Sequence, residues 1–134
     1  MNELEKVVNA NAAIKNYANV KVNAAIESAS SHQLITMLLD GLLERISQIK
    51  GAIDQKNIEL KGKKVNQAVS ILFGLRDSLN KEVGGELPER LDNLYEYMQR
   101  RIREAHIKND TTILDECYQL TVEISSGWKA IENQ

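Results

Sequence analysis

The sequence predicts an all-α protein: an antiparallel, up-down-up-down four-helix bundle preceded by a short, partly helical N-terminal arm. Three observations carry that expectation. Beyond residue 29, apolar residues recur at steps of three and four through four long segments, which places each set on one face of a helix. The breaks between segments are short, so consecutive helices must run antiparallel. Val20-Lys21-Val22 alternates as a strand would, yet no second strand pattern exists for it to pair with.

Residues 1–29 form the arm. Val7, Val8, Ile14, Val20, Val22 and Ile26 are scattered among Asn9, Asn11, Asn16 and Asn19, whose side chains compete with the backbone ladder. A helix near Leu4 to Tyr17 is as much regular structure as this stretch supports. The arm cannot build a core of its own, so Tyr17, Val20, Val22 and Ile26 are expected to shelter on the bundle, residues 30–134, near Leu34, Leu38 and Tyr95. Arm and bundle make one domain of 134 residues, large enough to fold without disulfides or a metal.

The first bundle helix begins at Ser30, which with Gln33 three residues on reads as a capping box. Ile35, Leu39, Leu42, Ile46, Ile49 and Ile53 are its seam, and Leu34, Leu38 and Leu43 widen that seam beyond what one neighbour covers. Gly41 inside it implies a close packing neighbour. After a turn at Asp54 to Asn57, Ile58, Val65, Leu72 and Leu79 recur at heptad spacing with Val83 beyond, predicting a second helix up to Gly84-Gly85. Those glycines relieve the cost of positive φ at a helix stop, and Pro88 suits the first turn of the next helix, where its missing N–H is no loss. Leu87, Leu91, Leu94, Met98, Ile102 and Ala105 are the third stripe, which Lys108-Asn109-Asp110 ends. Ile113, Cys117, Leu120, Ile124 and Ile131 form the fourth.

Composition removes several function classes. A formal charge of -2 with 27% charged residues of both signs gives no bulk attraction to nucleic acid or anionic lipid. No stretch approaches the roughly 18 apolar residues of a membrane span, and no secretory leader opens the chain, which points to the cytosol. Cys117, the single cysteine, is expected to be a buried, inert thiol. His32 and His106 have no His or Cys at ligand spacing, so no metal or other cofactor is implied. No phosphate loop, nucleophile elbow or His-Glu-x-x-His pattern supports an enzyme. Arg100, Arg101 and Arg103 read as a dipole-matched helix end, Tyr95, Tyr97 and Tyr118 as half-buried edges of the core, and Trp128 as packing for the end of the last helix. The over-wide first helix and the weak arm together point to a binding module with a groove for a partner helix.

Ala29-Ser30-Ser31-His32-Gln33-Leu34-Ile35-Thr36-Met37-Leu38-Leu39-Asp40-Gly41, and Gly84-Gly85-Glu86 through Leu94-Tyr95-Glu96-Tyr97-Met98-Gln99-Arg100-Arg101, resemble the FliS family of flagellin-specific export chaperones. The resemblance runs from about Tyr17 to Trp128. Two departures stand out: Ser31 replaces the proline of the family's Ala-Ser-Pro, and Leu39 replaces an aromatic residue common before the Asp-Gly pair. The resemblance implies a cytosolic bundle that binds the disordered C-terminal segment of flagellin, keeps it from polymerising early and helps deliver it to the flagellar type III export gate. It also implies an arm whose Tyr17 and Val20 positions lie near the flagellin site, and the same arm offers a route to a homodimer when the protein is free. Two further readings share these features: a chaperone for another secreted client, and a helical scaffold with no client.

Overall fold

The structure is a computed structural model that describes residues 30–80, 82 and 85–132. The expected arm, with Tyr17, Val20, Val22 and Ile26, lies outside the described residues, as does Gly84. Four long helices account for nearly all of the described chain: α1 (Ser31–Asp54), α2 (Ile58–Asp77), α3 (Leu87–Lys108) and α4 (Thr111–Glu132). Each packs on the helices before and after it, and α4 closes the ring on α1. Cross-helix pairs fix the directions. Arg45 meets Gln67, Gln99 meets Val69, Tyr97 meets Glu116, and Lys50 meets Asp115 while Lys129 meets Asp40, so every neighbour runs antiparallel.

The ends of the helices follow from local chemistry. Ser30 Oγ accepts from the Gln33 N–H at 3.1 Å while Gln33 Oε1 accepts from the Ser30 N–H at 2.8 Å, the reciprocal box the sequence announced. Asn57 caps α2 through Leu60, and Asp110 caps α4 by accepting from the Thr112 N–H at 2.9 Å and its hydroxyl at 2.6 Å. Bonds from Thr112 hold the Asp110 carboxyl below its ordinary range. Pro88 stands in the first turn of α3, where no partner for its nitrogen is needed.

Both turns at the far end of the bundle use a residue in the left-handed region. Lys56 has φ 58, and its N–H and that of Asn57 donate back to the carbonyls of Ile53 and Ala52. Asn109 has φ 53, and the Asp110 N–H returns to Ala105. The carbonyl of His106, left over at this second turn, accepts from Lys61 Nζ at 3.0 Å, and the same ammonium donates to Asn109 Oδ1 at 2.7 Å. Lys61 is buried for this reason: it is a cap for α3 supplied by α2. Asn tolerates the left-handed region well and Lys does not. Lys56→Gly should therefore stabilise the bundle by about 0.5 to 1 kcal/mol. A thermal melt checks it, and a lowered midpoint would show that the Lys56 side chain holds the turn.

The core is continuous along the bundle, with Leu42, Ile46, Ile49, Ile71, Leu72, Met98, Ile102 and Leu114 at its centre. Cys117 is fully buried among them, and burial pushes its thiol up to about 12, the inert role expected of it. Gly41 is buried on the face from which Arg45 reaches α2. Two expectations fail. α2 stops at Asp77 although its apolar stripe runs on through Leu79 and Val83. Ser78 turns its hydroxyl onto the Leu75 carbonyl at 2.6 Å, and the Leu79 N–H reaches only to Arg76, which tightens and ends the helix. Ile58, placed in the heptad stripe by its spacing, is 78% exposed because it is the first residue of α2, beyond the layer where the other helices face it.

Candidate functional site

The early stop of α2 opens the end of the bundle where α1 and α3 begin and α2 and α4 finish. There the four stripes converge on an apolar cleft of about 210 Å³. α1 contributes Ile35 and Leu39, and the chain around the end of α2 contributes Leu75, Ser78 and Leu79. α3 supplies Leu87, Leu91 and Tyr95, and α4 supplies Glu123, Ile124, Gly127 and Trp128. Leu87, Leu91 and Ile124 are only half-buried, whereas Ile35, Leu39, Tyr95 and Trp128 are part of the closed core. The cleft is thus a shallow continuation of the core toward solvent.

Polar bonds also hold α3 against α4. Tyr97 Oη donates to Glu116 at 2.9 Å, Arg101 Nε donates to the same carboxylate at 3.3 Å, and Thr121 reaches the Met98 sulfur at 3.6 Å. Two of the three clustered arginines, Arg100 and Arg101, are held in carboxylate pairs. Arg101 is matched by Glu104 and Glu116, and Arg100 by Glu96 while also lying 5.5 Å over the Tyr97 ring. Such charges, already paired with carboxylates, make a poor phosphate track.

The rim of the cleft is clasped by His32 and Trp128. Their rings stack at 4.6 Å with 7° between planes. The Trp128 indole N–H donates to the His32 carbonyl at 3.1 Å, and His32 Nε2 lies 2.8 Å from the Trp128 carbonyl. A carbonyl can only accept, so Nε2 donates, while Nδ1 is buried without a partner among the described residues. The start of α1 is thereby fastened to the end of α4.

Of the residues singled out by sequence, Tyr95 lines the cleft and is fully buried rather than half-buried, and burial pushes its phenol well up. Leu34 and Leu38 are buried, the latter 1% exposed, on the face of α1 that carries Arg45 toward Gln67 of α2. They stand behind the cleft-lining face and are not brought together with Tyr95 in it. Sequence reasoning missed Leu75, Leu79, Leu87, Leu91, Ile124 and Gly127 as a set. Leu79, Leu87, Leu91 and Ile124 were visible as stripe positions and Gly127 was not, and nothing in the stripes said where α2 would end.

A hollow of about 340 Å³ lies at the opposite end, lined by Ile53, Lys56, Ile58, Lys61 and Asn109 among others. Its buried cation, Lys61, is committed to capping α3. Nearby, desolvation and the Lys61 charge lower the basicity of His106. Among the described residues no group of three His, Cys, Asp or Glu side chains could hold a metal ion, and no helix is long and apolar enough to cross a membrane.

Comparison with known proteins gives one consistent result. Residues 13–134 match the family described as Flagellar protein FliS. The chain is 44% identical over 121 residues to the flagellar secretion chaperone FliSB of Pseudomonas aeruginosa, covering 90% of this chain and 96% of that protein. It is 39% identical over 119 residues to the flagellar secretion chaperone FliS of Salmonella typhimurium, with 88% of each covered. Against the Vibrio cholerae protein of the same name it is 38% identical over 115 residues, covering 86% and 85%.

Proposed function

Because this chain belongs to the FliS family, we propose that it is a non-catalytic flagellar secretion chaperone, acting in the cytoplasm, whose client is the C-terminal segment of flagellin. The observation that carries the reading is the apolar cleft at the end of the bundle where the chain enters α1. A segment that is disordered when free can lay apolar faces there and become helical on binding, so that the same faces are withheld from premature polymerisation. Delivery to the flagellar type III export apparatus follows from that role, with export gate components as second partners. No nucleic acid is proposed as a partner, since the formal charge is -2 and Arg100 and Arg101 are paired with carboxylates.

In this proposal residues 1–29 pack on the bundle as its arm, beside the His32–Trp128 clasp. Tyr17, Val20, Val22 and Ile26 add apolar contacts to a client seated against Tyr95. Leu34 and Leu38 serve the site from behind, by fixing α1. With no client bound, the arm and the cleft are also the surfaces proposed for pairing of two copies as a homodimer.

Calorimetric titration of the purified protein with monomeric flagellin should give a saturating one-to-one isotherm. Flagellin lacking its C-terminal segment should give none. Equal binding by both forms would remove the proposed mechanism, and no binding by either would remove the client. A chaperone for another secreted protein, or a scaffold without a client, would give that last result.

A further inference from the structure

Gly127 lies well inside α4, one turn after Glu123, and both residues line the apolar cleft. Apart from proline, glycine is the least favourable residue for a helix interior, and it persists there when a close neighbour or a special backbone conformation demands it. The bundle makes neither demand at this position. Among the described residues a Cβ added to Gly127 would meet nothing within 4 Å, and its φ is not positive. Gly51 and Gly62 are helical glycines with the same open space but no place in the cleft. At Gly127 the open space faces the site.

The second observation is electrical. Glu123 is the one charged side chain among the residues lining the cleft; it is exposed and enters no ion pair among the described residues. An otherwise apolar cleft with a single unpaired carboxylate on its rim complements an apolar segment that carries one positive charge at its edge.

Resting on the chaperone reading, we infer that Gly127 is the point of closest approach for a client α-helix laid across the cleft between α3 and α4. Bare backbone at Gly127 lets the two helix axes come nearer than the usual 8 to 10 Å or so. An aliphatic side chain of the client then enters between Leu91 and Ile124, and a Lys or Arg about one turn along the client helix meets Glu123. The glycine makes α4 less stable than it could be and keeps the surface open for the client. It therefore selects a helix with a small residue at the crossing and a basic residue beside its apolar anchor.

The test pairs thermal melting with calorimetric titration of intact flagellin on full-length variants. Gly127→Ala should raise the melting temperature by about 2 to 4 °C and weaken flagellin binding several-fold. Gly127→Leu should weaken binding at least tenfold or so while still melting cooperatively. Gly62→Ala should raise the melting temperature similarly and leave affinity within about twofold. Glu123→Lys should weaken binding by roughly tenfold, with most of the loss disappearing at high salt. Wild-type affinity in folded Gly127→Ala and Gly127→Leu overturns this inference and leaves the chaperone reading intact. Failure of the wild-type protein itself to bind flagellin rejects the chaperone reading, and this inference with it.

Discussion

Trp128→Ala should destabilise the bundle by about 3 to 5 kcal/mol, the loss expected when a large aromatic side chain is removed from a closed core. Trp128 is 3% exposed and its ring lies flat on His32. Truncation removes that stack and opens a void where four helices meet. It also removes the 3.1 Å bond that ties the indole to the His32 carbonyl. Trp128→Phe separates these effects: the ring remains, one hydrogen bond goes, and the loss should shrink to about 1 to 1.5 kcal/mol. Urea denaturation followed by far-UV circular dichroism measures both. Equal, small losses for the two variants would mean that the clasp contributes nothing to holding α1 on α4.

Arg76→Met should cost about 2 to 3 kcal/mol through polar groups left stranded. Arg76 reaches from α2 to Asp92 at 2.7 Å and to Gln99 Oε1 at 2.9 Å on α3, and Gln99 in turn donates to the Val69 carbonyl at 3.3 Å. The bond to Asp92 raises the guanidinium above its ordinary range, and Gln99 is only 2% exposed. Methionine fills the stem of Arg76 but satisfies none of these acceptors. Because the Arg76 and Asp92 side chains are 28% and 16% exposed, the effect should survive in about 0.5 M salt, where the more open Lys50–Asp115 pair loses its small contribution. A cost below about 0.5 kcal/mol at any salt concentration would mean that water replaces the arginine without penalty.

How much of this was legible in the sequence varies with the range of the interaction. Ser30 with Gln33, Pro88, and Asn109 with Asp110 are local signals, decided within four residues, and the structure places each where its chemistry predicts. The seams of α1, α3 and α4 follow from period alone. The end of α2 was misread because Leu79 keeps the stripe in step while Ser78 spends its hydroxyl on the helix it terminates. Ile58 was misread because spacing gives a face but says nothing of how far a neighbour extends along it. The cleft depends on both, so its lining could not be assembled from any one segment. Tyr95, read from the sequence as a half-buried core edge, is buried and lines the cleft. Leu34 and Leu38 carry the right chemistry for a groove and stand on a face turned to α2.

An even number of antiparallel helices has one more consequence. The described chain enters and leaves the bundle at the same end, with Ser30 and Trp128 beside the cleft, while the turns at Lys56 and Asn109 lie at the other. With 24 residues in α1, the two ends are about 35 Å apart. A reporter or surface tether attached at Ser30 or beside Trp128 would therefore crowd the cleft. One attached at the Lys56 turn would hold the molecule upright with its cleft outward, a useful geometry for an immobilised sensor or for a dye pair reading distances along the bundle axis.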